Sequence, residues 1–153
     1  MINEYSIKKI QFSTGAYYCE SVYTGSSTLI IDYSKLLCKY SYKSNFYRNI
    51  TKWKIYKEHF LKFMNELVSL DIFSWDKNYT DENVLDGGGW SLKIEYENNE
   101  FLEINGDNAY PSNYDNFINI LHKYFPIIKM DNEYRKNLEK YRVMQEQTSH
   151  FVI

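Results

Sequence analysis

The sequence predicts an α+β fold: an antiparallel sheet of five or six strands, two helices packed on one face, and a C-terminal helical extension. Three observations carry this. Short aromatic and β-branched runs, separated by turn residues, fill residues 5–42. Apolar residues at helical spacing follow over 56–72 and again over 114–125. Between them, Ser91 to Glu97 alternates apolar and charged side chains, as a half-solvated antiparallel strand does.

With 153 residues the chain has room for one ordinary core, read as a single domain over 1–128 with a charged extension over 129–153. Hydrophobic residues at 44% and charged residues at 25% are globular values that exclude a disordered chain. A net charge of −2, with lysines interleaved among acids, predicts no basic stripe and no nucleic-acid partner. The start, MINEYSIKKIQF, has no apolar core of a secretion signal, and no run is long enough to span a bilayer. Cys19 and Cys38 then read as reduced thiols rather than metal ligands, and the expected compartment is the cytoplasm. No cofactor is expected. The 16 tyrosines invite a stacking function, but A/T-rich codons alone produce such a composition, so they decide nothing.

The elements follow in order. Tyr5 to Phe12, Tyr17 to Tyr23, Thr28 to Tyr33 and Leu36 to Tyr42 are expected strands of a meander. Ser13-Thr14-Gly15, Gly25-Ser26-Ser27 and Ser34-Lys35 are the expected turns. Residues 43–54 carry no pattern. Tyr56, Phe60, Phe63, Met64, Leu67, Val68 and Ile72 form one apolar helix face, to be buried against the sheet. A hairpin joins Ser91–Glu97 to Phe101–Gly106. A two-residue turn would set Ile94 opposite Glu103, so a three-residue loop over 98–100 is expected, with Ile94 opposite Ile104 and Trp90 opposite Asn108. Ser112 is the expected N-cap of the second helix, whose stripe is Tyr114, Phe117, Ile118, Leu121, Tyr124 and Phe125, stopped by Pro126. In the extension, Tyr134, Leu138, Tyr141 and Met144 make a narrow seam, too short to specify a coiled coil.

That hairpin brings the turns VLDGGGW (84–90) and GDNAYP (106–111) to one end of the sheet, beside a helix N-terminus. Backbone N–H groups there suit an anion, but Asp81, Glu82, Asp86, Asp107 and Asp115 would repel phosphate. A calcium site from Asp81, Asp86, Asp107 and Asn108 has the right oxygens without a recognised spacing. A small-ligand pocket is the third possibility, walled by Trp75, Trp90 and Tyr110 with Asp86 and Asn108 as polar anchors. Against it stands the plainer reading that both tryptophans close the core. On that reading Gly106 permits a turn, Asn108 bonds nearby backbone and Tyr110 is buried. The candidate ligand residues are therefore Asp86, Trp90, Asn108 and Tyr110, with no catalytic or metal-ligating set. His59 and His122 read as helix-surface residues, and no nucleophile elbow or zinc motif occurs.

Trp75, DGGGW (86–90), the hairpin and GDNAYPSNYDNF (106–117) together resemble a bacterial domain family of unknown function with the pattern W…DGxxW…GxNAYPxxxxxF. The resemblance covers the second half of the chain. It implies an antiparallel sheet with helices against it, and no activity. The expected function is a non-catalytic protein-binding domain, for example a toxin-neutralising (immunity-type) partner, given the small size, acidic balance, aromatic abundance and lack of catalytic motifs. The alternative is a small-ligand-binding or enzymatic domain with its site where the two turns meet.

Overall fold

In chain order the elements are β1 (Ile7–Ala16), β2 (Gly25–Asp32), β3 (Leu37–Ser44), β4 (Arg48–Lys54), α1 (Lys57–Ser69), β5 (Asn78–Thr80), β6 (Gly88–Tyr96), β7 (Phe101–Asp107) and α2 (Tyr114–Tyr124). The computed structural model describes residues 7–16, 25–44, 48–81, 83 and 88–125. The expected strand over 17–23, the stop at Pro126 and the extension over 129–153 lie outside those residues.

An α+β fold with a predominantly antiparallel sheet is what forms, with the strand count corrected. Seven strands lie in the order β4-β3-β2-β1-β6-β7-β5, and the sheet is mixed because β5 runs parallel to β7. Strand β4 arises in the stretch that carried no pattern. It is an edge strand, so its outward positions are Arg48, Ile50, Lys52 and Lys54 rather than a core-facing apolar set. Strand β5 has only three residues, too few to show a period. Two expected turns are also corrected: Ser13 to Gly15 and Gly25 to Ser27 continue β1 and β2. Their hydroxyls pair across the ladder instead of turning the chain, Thr14 with Ser27 at 2.8 Å and Ser13 with Thr28 at 3.2 Å. The Ser34-Lys35 turn does form, with the Asp32 carboxylate accepting from the Ser34 hydroxyl and the Lys35 N–H.

One face of the sheet is apolar throughout. Ile10 lies opposite Ile31 and Ile94, Phe12 opposite Leu29 and Leu92, and Leu92 opposite Ile104. Directly opposed residues share a face, so these side chains form one continuous floor. Ile7 joins it only because Lys8 is the extra residue of a bulge between the Ile7–Tyr96 and Lys9–Glu95 pairs. Both helices cover this floor: Phe60 of α1 stacks on Tyr33 at 4.4 Å, and Phe117 of α2 meets Phe12 edge-on at 5.1 Å. Tyr56 is corrected out of the α1 stripe. It sits at the N-cap, 79% exposed, one residue before the helix turns it inward.

The helices are tied to each other. Lys123 donates to Glu66 at 2.8 Å, and Phe63 packs edge-on against Phe125. The Nε2–H of His59 donates to the Tyr124 carbonyl, which can only accept, so His59 is a bridge rather than a plain surface residue.

The hairpin loop has the expected length at a shifted place. Tyr96 N–H donates to the Glu100 carbonyl and Asn99 N–H to the Tyr96 carbonyl, making Glu97 to Asn99 the three loop residues. Asn99 takes the left-handed φ of 69°, which the last residue of such a loop needs and which a loop over 98–100 would force on Glu100. Pairing therefore moves by two residues: Ile94 faces Leu102, Leu92 faces Ile104, and Trp90 faces Gly106 instead of Asn108. A shift of two keeps every side chain on its expected face.

Candidate functional site

The shifted register changes what Gly106 does. It lies inside β7 with no positive φ, so it permits no turn. Instead the Trp90 indole lies across it: a Cβ on residue 106 would fall 1.8 Å from the ring nitrogen. Trp90 is 4% exposed, and its indole N–H donates to the Ala109 carbonyl at 2.9 Å. Around it stand Trp75 and Tyr79, with ring centres at 6.1 and 5.9 Å, and Tyr114 at 5.1 Å.

The turn itself is made by Asn108, with φ of 59°. Its N–H donates to the Gly88 carbonyl at 3.1 Å, and its side-chain oxygen accepts the Gly88 N–H at 3.0 Å. This double clasp joins the two turns directly and leaves the Gly88 N–H engaged, so it is not free for an anion.

Helix α2 begins at Tyr114, with Asn113 rather than Ser112 at the N-cap position and no side-chain cap bond. The Asn113 amide is turned to another task. It accepts the Trp75 indole N–H at 2.9 Å and donates to the Leu70 carbonyl at 2.7 Å, pinning the end of α1 to the start of α2. Sequence reasoning missed Asn113, because its partners Leu70 and Trp75 lie far from it along the chain.

Tyr110 is corrected from buried to half-exposed. At 50% exposure it stacks nearly parallel over Trp90 at 6.3 Å and leans on Tyr114 at 4.7 Å. Burial, with Tyr110 and Asp115 adding to it, pushes the Tyr114 phenol far above its ordinary range.

Of the four candidate ligand residues, Trp90, Asn108 and Tyr110 are brought together, and Asp86 lies outside the described residues. Of the calcium set, the Asp81 carboxylate accepts the nearby Asn83 N–H at 3.0 Å, and Asp107 accepts from the Asn108 amide at 3.3 Å. Among the described residues no three His, Cys, Asp or Glu side chains gather as a metal site. Cys38 is a buried thiol pushed up to about 12 by desolvation, hence a poor nucleophile.

The other face of the sheet, which among the described residues no helix covers, holds what the sequence did not reveal. Behind Trp90 lies a shallow polar groove of about 430 Å³. Gly15 and Gly89 face each other at its centre, with Ser13, Ser91, Asn105 and Asp107 around them. Further across the same face, strand alternation gathers Lys39, Lys43, Arg48, Lys52 and Lys54 on β3 and β4. The expectation of no basic stripe is thus corrected. Between Asp32 and Glu58 the sequence holds no acid, and strand alternation turns these five cations onto one face. The far side, on β6 and β7, carries Glu95, Glu103 and Asp107 against the single cation Lys93, whose ammonium sits 4.7 Å above the Phe101 ring. Compared with known proteins, the chain matches no family model and no curated protein.

Proposed function

We propose that the chain is a non-catalytic protein-binding domain acting through the open face of its sheet, and that its biological role is that of a bacterial toxin-neutralising partner. One observation carries the reading: the open face displays sorted charge and exposed apolar side chains, Ile50 at 42% and Phe101 at 57% exposure, in a frame whose opposite face is a packed core. Charge sorted across a flat surface steers a macromolecular partner and fixes its register. The junction of the two turns supports the same conclusion from the other side. Both indole N–H groups there are already bonded within the chain, so neither tryptophan has a donor to offer a ligand.

The test is capture from extracts of the native cell on immobilised full chain, compared with a Lys52→Glu, Lys54→Glu variant. The expected result is a protein retained by the unchanged chain and lost with the variant at equal folded content. Equal retention by both, or none by either, sinks the reading.

A second reading is favoured by the groove behind Trp90. Its hydroxyls, amides and single carboxylate suit a neutral, hydroxyl-rich small molecule. Chemical-shift changes confined to Ser13, Ser91 and Asn105 on titration with a mixture of simple sugars would favour it over the first.

A further inference from the structure

We infer that the open face pairs with the same face of a second copy of this chain, about a two-fold axis running along β1. The inference rests on the reading of this face as a protein-binding surface, and it adds a second copy of the chain to the partners that face takes.

The sheet ladder places the open-face residues in rows. One row runs Leu37, Asp32, Lys9, Glu95, Phe101 from β3 to β7. The next runs Lys39, Ile30, Gln11, Lys93, Glu103. The last runs Lys43, Ser26, Gly15, Gly89, Asp107. β1 is the middle strand of the seven. A two-fold axis along it lays β3 of one copy over β7 of the other and keeps every residue in its own row. Leu37 then meets Phe101, Lys39 meets Glu103 and Lys43 meets Asp107. All three pairs are complementary, and each occurs twice in an isologous dimer.

The groove fits the same arrangement. It is bordered by Asp107 and floored by glycine, and the long Lys43 side chain of the second copy lies over it. Two kinds of pair are like-charged, Asp32 against Glu95 and Lys9 against Lys9 on the axis, and they offset one another because the two lysines lie between the carboxylates.

Shape and size permit the contact. An axis parallel to the strands maps a twisted sheet onto the same saddle, so the facing sheets stay nested, as in aligned sandwiches. Strand and residue spacings give a footprint of roughly 700 Å² per copy, near that of a standard specific interface. The other in-plane axis, across the strands, would set the β3–β4 cations against themselves, and charge therefore selects the first.

Sedimentation velocity on the full chain tests this. The expected species is a dimer whose dissociation constant weakens about tenfold or more between low and high salt, because rim pairs are screened. Lys39→Glu with Lys43→Glu should weaken it by about a hundredfold or more, as should Glu103→Lys with Asp107→Lys, through like-charge opposition. An equimolar mixture of the two reversed chains should dimerise again, since each β3–β7 contact is then opposite in sign. Unfolded variants could not give that rescue. A monomer at every concentration up to the millimolar range, a dimer indifferent to both reversals, or failure of the mixture to pair overturns the inference. A monomer that still captures a protein through Lys52 and Lys54 would leave the binding reading standing while ending the self-pairing. A monomer that captures nothing ends both.

Discussion

Gly106 and Gly15 lie in the same sheet, one facing the helices and the other the open face, and they show how differently the two faces are built. On the helix side the Trp90 indole occupies the space where a Cβ of residue 106 would go. On the open side a Cβ at residue 15 would meet only the Ser26 Cβ, at an ordinary 3.7 Å. One face is filled to the density of a crystal, where each side chain dictates its neighbours. The other is an array of positions that sequence can vary without disturbing the fold.

Substituting the two glycines is the sharpest way to break that comparison. Gly106→Ala should destabilise by about 3 kcal/mol or more, since the indole must leave its place and lose its Ala109 hydrogen bond. Gly15→Ala should stay within about 0.5 kcal/mol, as surface changes usually do. Denaturant unfolding with unchanged slope reads both. Comparable losses would show that the open face is as constrained as the core.

Two asparagines give the next contrast. Asn113→Ala removes the acceptor of the Trp75 N–H and the donor to the Leu70 carbonyl, both part-buried, and should cost about 2–3 kcal/mol. Asn105→Ala, on the exposed side of β7, should cost less than about 0.5 kcal/mol. Near-equal midpoints for the two variants would remove Asn113 from its bridging role.

Smaller effects belong to the rim of the junction. Tyr110→Ala loses one stacked, half-exposed ring and should cost about 1 kcal/mol. Ser112→Ala should be within about 0.5 kcal/mol, because the helix begins beyond it and Ser112 is solvent-exposed. A loss of about 1 kcal/mol on Ser112→Ala would restore the serine as a true cap.

These contrasts also explain how much could be read from the chain. The alternation of Leu92, Ile94 and Tyr96 and the stripe Phe60, Phe63, Met64, Leu67 are local patterns, and both appear as expected on the core face. The hairpin's face was legible because a shift of two residues cannot change it, whereas its register depended on whether Asn99 or Glu100 takes the left-handed position. The open face was illegible for a physical reason. Gly15 and Gly89 become neighbours only through pairing between strands distant in sequence, and Lys39 and Lys52 only through pairing of β3 with β4, a strand in the stretch that carried no pattern. Asn113 was hidden likewise: its partners Leu70 and Trp75 lie on the far side of the hairpin.

The smallest expected effect lies between the helices. The Glu66 carboxyl is held below its ordinary value of 4.5, first by the hydrogen bond from Lys123 and then by the Tyr124 hydroxyl. A lowered carboxyl favours the folded state above its unfolded value, and that contribution is lost as pH falls through the folded one. Lys123 is raised above 10.5, chiefly by the same hydrogen bond, so its contribution holds below 10.5 and fades as pH rises past it. Stability from this pair is therefore level through neutral pH and declines at both extremes. Both side chains reach solvent, at 35% and 60% exposure, so the difference should be slight and should shrink further in high salt. Thermal unfolding of Glu66→Gln against the unchanged chain, at pH 7 and at pH 3.5, reads it. The gap between the two should be small at pH 7 and smaller at pH 3.5. A gap that widens on acidification would show that Glu66 is stabilising as the neutral acid, and would reverse the sign argued for it.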